Sequence, residues 1–271
     1  MKKLFQEKLT SNKKGINAMF IKYEELLLNS KPAAFTTLYE GLIINYAGIN
    51  QFTKSIHPLY DRKNNIHERI ASVEAILANY NQIPEYRIVF QKDYQEFDEE
   101  LFRNGYERSG HGTVKMIDIK PLQNELFTFA NFIQNGVFIE EEIKDFWIDD
   151  FSYLMNYSQV EDKIFRDSIK RLIVSCSTFT LIEENTLIGQ AYATFQENYM
   201  IINSIVINKK TRNLSYGKRL LMSMLSYALK RGAEIAIADV DYLDTAGNKL
   251  FNKVKFEDIY GYCYRIKRIT K

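Results

Sequence analysis

The stretch YMIINSIVINKKTRNLSYGKRLLMSMLSYALKRG, residues 199–232, decides how this chain reads. Tyr199 to Asn208 is nearly all apolar and rich in β-branched residues, which predicts a strand interior to a sheet. From Ser215 to Arg231, Leu220, Leu221, Met224, Leu225 and Ala228 form one stripe, which predicts a helix. Lys230 and Arg231 suit its negative end, and Gly232 supplies its stop. Between strand and helix lies TRNLSYGKRLL, residues 211–221. A strand feeding a turn that opens a helix is a ready anion site. The first N–H groups of the helix have no internal partner, and its dipole favours negative charge there. Ser215 and Gly217 are the small positions that let a backbone come close to a ligand. Lys209, Lys210, Arg212, Lys218 and Arg219 surround them. The plain alternative is a solvated basic connection capped by Ser215.

Outward from this stretch, strands and helices alternate. Residues 4–29 read as a helix. Strands follow at 37–48 and 52–60, then an amphipathic helix at 66–80, a strand at 85–91, a short helix at 97–106 and a strand at 112–120. Pro121 opens a second series, with helices at 122–133, 140–157 and 162–171. Strands STFTLIEEN (177–185) and TLIGQAYATFQ (186–196) lead into the stretch quoted first. After it come a strand at 234–242, a short helix within GNKLFNKVKF (247–256) and a last strand IYGYCYRIKR (259–268). The order strand–helix–strand–helix–strand occurs twice, with LFRNGYE (101–107) answering LFNKVKFE (250–257). This predicts a duplicated α/β unit with its boundary near Asp118 to Gln123.

Bulk composition bounds the function. The chain has 271 residues, 46% hydrophobic and 26% charged, as in a globular protein with one large or two ordinary domains. A net charge of +2 gives no footprint for nucleic acid or an anionic membrane. Cys176 and Cys263 form neither a disulfide framework nor a metal spacing, and His57, His67 and His111 are scattered, so no metal is expected. The N-terminus has early lysines but no apolar segment of a leader, and no run is long enough to span a bilayer. The expectation is a reduced, cytoplasmic protein.

The second half resembles the GNAT family of acetyl-CoA-dependent N-acyltransferases. That family's pyrophosphate loop has an Arg or Gln, two free positions, a glycine, a free position and a Gly or Ala; here it reads Arg212-Asn213-Leu214-Ser215-Tyr216-Gly217. AIADVD, then LFNKVKFE with Phe256, follow in the family's order. The closing YGYCYRIK resembles the terminal strand of a bacterial tandem subgroup. LLLNSKPAAFTTLYEGLIINYAG and SIHPLY resemble that subgroup's N-terminal signature, so the resemblance covers nearly the whole chain. It implies an α/β fold of two GNAT-like mixed sheets in tandem, each flanked by helices. Residues 1–120 would be a degenerate unit without a phosphate loop, because LYDRKNNIHER (59–69) has no glycine. Residues 121–271 would be the acetyltransferase unit.

The resemblance implies acetyl-CoA as cofactor. It would lie between strands 199–208 and 234–241, held by backbone groups of Ile205, Val206 and Ile207, by residues Arg212 to Lys218, and by Asp244 and Phe251. Asp244 stands where the subgroup has Asn. Phe251 stands where many members carry a Tyr that protonates the departing sulfur. The acceptor would be a primary amine of a small molecule or peptide. Such an amine, with a pKa near ~10.4, needs help to lose its proton. Glu197, Asp239 and Asp241 are the carboxylates expected near the cleft. Tyr260, Tyr262 and Tyr264 are the substitute acids, Tyr264 foremost. The competing expectation, favoured by Phe251 and Ser215, is a non-catalytic acyl-CoA-binding module.

Overall fold

A computed structural model describes residues 13–46, 48–60, 65–132, 136–212 and 215–267. The chain runs α1 (Lys13–Ser30), β1 (Phe35–Tyr39), β2 (Leu42–Tyr46), β3 (Ile56–Pro58), α2 (Ile66–Ala78), β4 (Glu85–Val89), α3 (Gln95–Arg103) and β5 (Tyr106–Asp118). It continues with α4 (Gln123–Phe132), β6 (Val137–Glu140), α5 (Asp145–Met155), α6 (Gln159–Ile169), β7 (Ser175–Glu183), β8 (Thr186–Gln196) and β9 (Tyr199–Ile207). It closes with α7 (Tyr216–Lys230), β10 (Ile235–Asp241), α8 (Thr245–Lys253) and β11 (Glu257–Lys267).

The strands form one mixed sheet of 11 strands in the order β1-β2-β3-β4-β11-β5-β10-β9-β8-β7-β6. In each of the two units expected from the sequence, one pair of neighbouring strands is parallel. β3 runs parallel to β4, and β9 runs parallel to β10. Each unit's last strand then pairs with the other unit's middle strand, β11 with β4 and β5 with β10, and the two last strands pair with each other. No local pattern announces this exchange, because a strand's own residues specify its faces and not its neighbours.

Several elements differ from the sequence expectation. Residues 37–48, read as one strand, fold into the hairpin β1–β2, turned by Glu40 and Gly41 at positive φ of 45° and 78°. β5 starts at Tyr106 rather than near 112, because long pairing with β11 recruits the polar run RSGHGT. Gly110, at φ 58°, is the extra residue where that register shifts between Cys263 and Tyr264. β6, an edge strand of four residues, lies where no element was expected, and the helix expected from 140 begins at Asp145. The N-terminal part of the helix expected from residue 4 lies outside the described residues.

Helices cover the two faces of the sheet. Leu220, Leu221, Met224, Leu225 and Ala228 of α7 are buried against Met200, Ile202, Ala236 and Ala238. On the opposite face Phe20, Tyr23, Leu26 and Leu27 of α1 pack on Ile201 and Ile237. Adjacent residues of β9 and β10 thus serve opposite cores, as a strand buried on both faces requires. Gly232, at φ 83°, ends α7 as expected. Cys176 and Cys263 are buried and free. Among the described residues no cluster of His, Cys, Asp or Glu could hold a metal ion, and no helix is long and apolar enough to cross a membrane.

Candidate functional site

The site begins as a break in the sheet. β9 and β10 pair only from Ile235–Tyr199 to Ala238–Ile202. Beyond that point β9 follows β8, to Gly189–Ile207, while β10 follows β5, to Asp241–Gly112. The bend falls where the β8–β9 register shifts between Tyr192 and Ala193, leaving Asn203 as the extra residue. A bulge bends its strand and re-aims side chains. The two strands therefore splay, and a cleft of about 1020 Å³ opens between them.

On the α7 face the cleft is lined by Ile205, Ile207, Gly217, Leu250 and Phe251. Val206, Arg212, Ser215, Tyr216, Lys218, Asp241, Asp244 and Tyr264 also line it. Nearly all the residues expected from sequence thus meet at one place. Asn213 and Leu214 lie outside the described residues.

Ser215 precedes α7 at φ 63° and ψ 10°, the left-handed region, and its side chain caps nothing. Its carbonyl accepts the first helical bond, from Arg219 N–H at 3.1 Å. The plain alternative of a connection capped by Ser215 therefore fails: among the described residues its side chain makes no cap bond to the start of α7, and no acidic residue sits in the helix's first turn. Gly217 follows at the mouth. A Cβ there would stand 3.4 Å from Leu250 and 3.9 Å from Ile207, so the glycine holds open the space between helix start and cleft wall. Arg212 leans on the Ile207 carbonyl at 3.5 Å. Two expected cations or donors turn away: Arg219 donates to Glu183 at 2.9 Å, and the Tyr216 hydroxyl donates to the same carboxylate. Lys249 and Lys253, one turn apart on α8, line the cleft instead. Only the packing of α8 across the cleft reveals them. Since a non-glycine residue in the left-handed region carries strain, Ser215→Gly is expected to stabilise the protein by about 1 kcal/mol. The corresponding rise is about 2–4 °C in Tm, read by thermal denaturation.

The carboxylates sort themselves by their partners. Glu197 lies in the β8–β9 turn at φ 52°, at the start of β9, and is ion-paired to Lys22 at 2.6 Å. The cleft opens at the other end of β9, so Glu197 is removed as a cleft base. Asp241 accepts from Leu243 N–H at 2.7 Å, and Asp244 caps α8 through Gly247 N–H at 2.9 Å. Both are at the rim and occupied with turns. Asp239 is different. Its side chain is 5% exposed, its Oδ2 accepts from Lys31 at 3.2 Å and lies 3.5 Å from Arg87, and its Oδ1 is buried without a partner. Burial alone would push its pKa up, but the cations of Arg87 and Lys31 and the Tyr262 hydroxyl outweigh it and hold the carboxyl below its usual value.

Behind Asp239 is a buried ion network that the sequence did not announce. Arg87 of β4 donates twice to Glu24 of α1, at 3.1 Å each, and lies 3.4 Å from the centroid of the Tyr262 ring. The Tyr260 hydroxyl donates to Glu24 at 2.8 Å. Glu24 is likewise held far below its usual range, since Arg87 and His57 outweigh the cost of burial. Tyr264, in register with Arg87, lines the cleft and accepts from Arg87 Nη1 at 3.5 Å. Burial pushes its phenol up, so it is protonated throughout the neutral range. Of the three tyrosines, Tyr260 donates to Glu24, and the Tyr262 ring is stacked under the Arg87 guanidinium. The charged Arg87 inside the apolar strand EYRIV was the one visible signal of this network.

Comparison with known proteins is consistent with this geometry. The sequence model described as the acetyltransferase (GNAT) family matches residues 139–256. An uncharacterized N-acetyltransferase of Bacillus subtilis, YobR, is 25% identical over 129 residues, 48% of this chain and 52% of its own length. The match thus spans about half of that relative. Among solved structures, a GCN5-related N-acetyltransferase from Kribbella flavida superimposes with a TM-score of 0.66 at 9% identity, covering 94% of this chain and 96% of that one. A tandem GNAT protein from the clavulanic acid biosynthesis pathway gives 0.63 at 12% identity, covering 80% and 76%. At these identities the structures speak for the fold.

Proposed function

We propose, since residues 139–256 match the sequence model of the acetyltransferase (GNAT) family, that this chain moves an acetyl group from acetyl-CoA to a primary amine of a small molecule or peptide, by direct attack in a ternary complex. The observation that carries the reading is the uncapped start of α7 beside a splayed parallel strand pair. Residues 121–271 would be the catalytic unit. Residues 1–120 would be a related unit without a phosphate loop, supplying Lys31 to the cleft wall and Glu24 and Arg87 to the ion network behind it.

The residues present fit the cofactor. The open N–H groups of α7, with Arg212, Lys218, Lys249 and Lys253, suit a pyrophosphate. The edge of β9 from Ser204 to Ile207, unpaired toward β10, offers backbone groups for an extended arm and for a thioester carbonyl. When bound, acetyl-CoA supplies the acetyl thioester. On the opposite face, Asp239 Oδ1 can accept an N–H of the acceptor and hold its nitrogen toward the gap. The C–N bond forms as the C–S bond breaks; the nitrogen loses a proton to water and the sulfur gains one. Phe251 cannot donate that proton, whereas Tyr264 carries one into the cleft. Tyr264→Phe is expected to lower kcat about 100-fold while acetyl-CoA affinity changes less than about twofold, as steady-state thiol release and calorimetry will read.

The second reading, a non-catalytic acyl-CoA-binding module, is favoured by Phe251 and by the turn and cap duties of Asp241 and Asp244. Calorimetry with acetyl-CoA and thiol release over an amine panel separate the two. Binding with no release on any amine selects the module, and no binding removes both readings.

A further inference from the structure

We propose that a second, smaller cavity beside the cleft is the recognition pocket for the acceptor's side group, and that it takes a compact, uncharged apolar group the size of an isobutyl chain or a phenyl ring. This rests on the amine-acceptor reading of the cleft. The cavity measures about 140 Å³. An apolar cavity of about 150 Å³ is known to accept benzene. Lys31, Asn50, Met155, Asn203 and Ser204 line both cavity and cleft, so the two are continuous.

The walls specify what fits. Phe151 and Phe165 stack at 5.0 Å, and Tyr192 stands edge-on to both at 5.8 and 6.1 Å. Such a corner of packed rings is rigid and offers a flat, apolar surface. Met155 and Ile169 add an aliphatic side. Among the described residues Lys31 is the one Lys, Arg, Asp or Glu in the lining, and its ammonium is engaged by Asp239 at 3.2 Å. A charged side group entering here would lose water and find no counter-ion.

Two unanswered polar groups orient the ligand. Asp239 Oδ1, in the cleft, is buried without a partner. Asn203, placed by its bulge in the wall shared by cleft and cavity, has both its amide oxygen and its amide nitrogen buried and unpartnered. Buried polar atoms left unpaired are costly, so each marks a place where a ligand atom completes the site. With the amine on Asp239 and the side group among the rings, Asn203 faces the atoms that join them. An amide there would satisfy its donor and its acceptor together.

The test is calorimetric titration of benzylamine, isobutylamine, ethylamine and 1,4-diaminobutane into the full chain saturated with coenzyme A. Turnover is not needed for the readout. Benzylamine and isobutylamine are expected to bind at least about tenfold more tightly than ethylamine, and diaminobutane no better than ethylamine. Ser168→Phe, filling the cavity from α6, and Ser204→Ile, filling it from β9, are each expected to reduce that preference to near unity. Two variants from different elements guard against a misfolded one, with thermal denaturation as the check. Equal binding of all four amines, or a preference that survives in both folded variants, overturns the pocket. Failure of the protein to bind coenzyme A overturns the acetyltransferase reading; the same amines titrated alone then decide the pocket.

Discussion

Gly217→Asp is expected to weaken acetyl-CoA binding by at least about 100-fold, roughly 2.7 kcal/mol, with little change in Tm. The substitution acts in two ways. Its Cβ would lie in ordinary contact with Leu250 at 3.4 Å, so the fold tolerates it, but the rest of the side chain must occupy the mouth of the cleft. Its carboxylate would also sit at the positive end of α7 and answer the N–H groups otherwise offered to the pyrophosphate. Gly217→Ala separates the two effects. It adds the Cβ without charge and is expected to cost less than about tenfold. Calorimetry on both variants is the measurement. Unchanged affinity in Gly217→Asp would remove the start of α7 as the phosphate seat.

Arg87→Met is expected to destabilise the protein by about 3–5 kcal/mol, a drop on the order of 10 °C in Tm. Arg87 is fully buried and faces two buried carboxylates, Glu24 and Asp239. Removing it leaves both without their main cation. The pH dependence gives the expectation a signature. In the wild type the folded pKa values of Glu24 and Asp239 are depressed below their ordinary 4.5 and 3.8. Their stabilising contribution is therefore complete above those ordinary values and is lost as pH falls below them toward the folded ones. In the variant, burial without Arg87 pushes both groups up, so its penalty is greatest at neutral pH and shrinks as they become protonated. The Tm gap between wild type and variant is expected to narrow from pH 7 toward pH 4. A gap under about 2 °C, or one that widens over that range, would mean the network does not hold the two halves of the cleft together.

The proposed cofactor side was legible because its determinants are contiguous. Strand 199–207, the basic turn and the stripe of α7 lie within about thirty residues, and the unpaired N–H groups at a helix start follow from helix geometry alone. Ser215 posed the question of whether a serine can stand where a glycine is usual. The backbone answers it, since the residue is held at φ 63° by a helix that begins at Tyr216. The acceptor side was not legible. Lys31 and Asp239 are separated by 208 residues, and Arg87 and Tyr264 by 177. Glu197 was misplaced for the complementary reason: it is close to β9 in sequence but belongs to the end of the strand away from the splay. β6 escaped notice because four edge residues carry too short a pattern for alternation to register.

From its sequence alone this chain determined its helices, most of its strands, the repeated order of elements and the basic strand-to-helix turn. All of these follow from interactions between residues close along the backbone. The tertiary structure decided what those elements meet. It exchanged β5 and β11 between the two units, opened the sheet at the Asn203 bulge, and buried Arg87 between two carboxylates from distant segments. Strand partners and the burial of charge depend on which surfaces are left to be covered once the chain collapses, and no local run of residues encodes that choice.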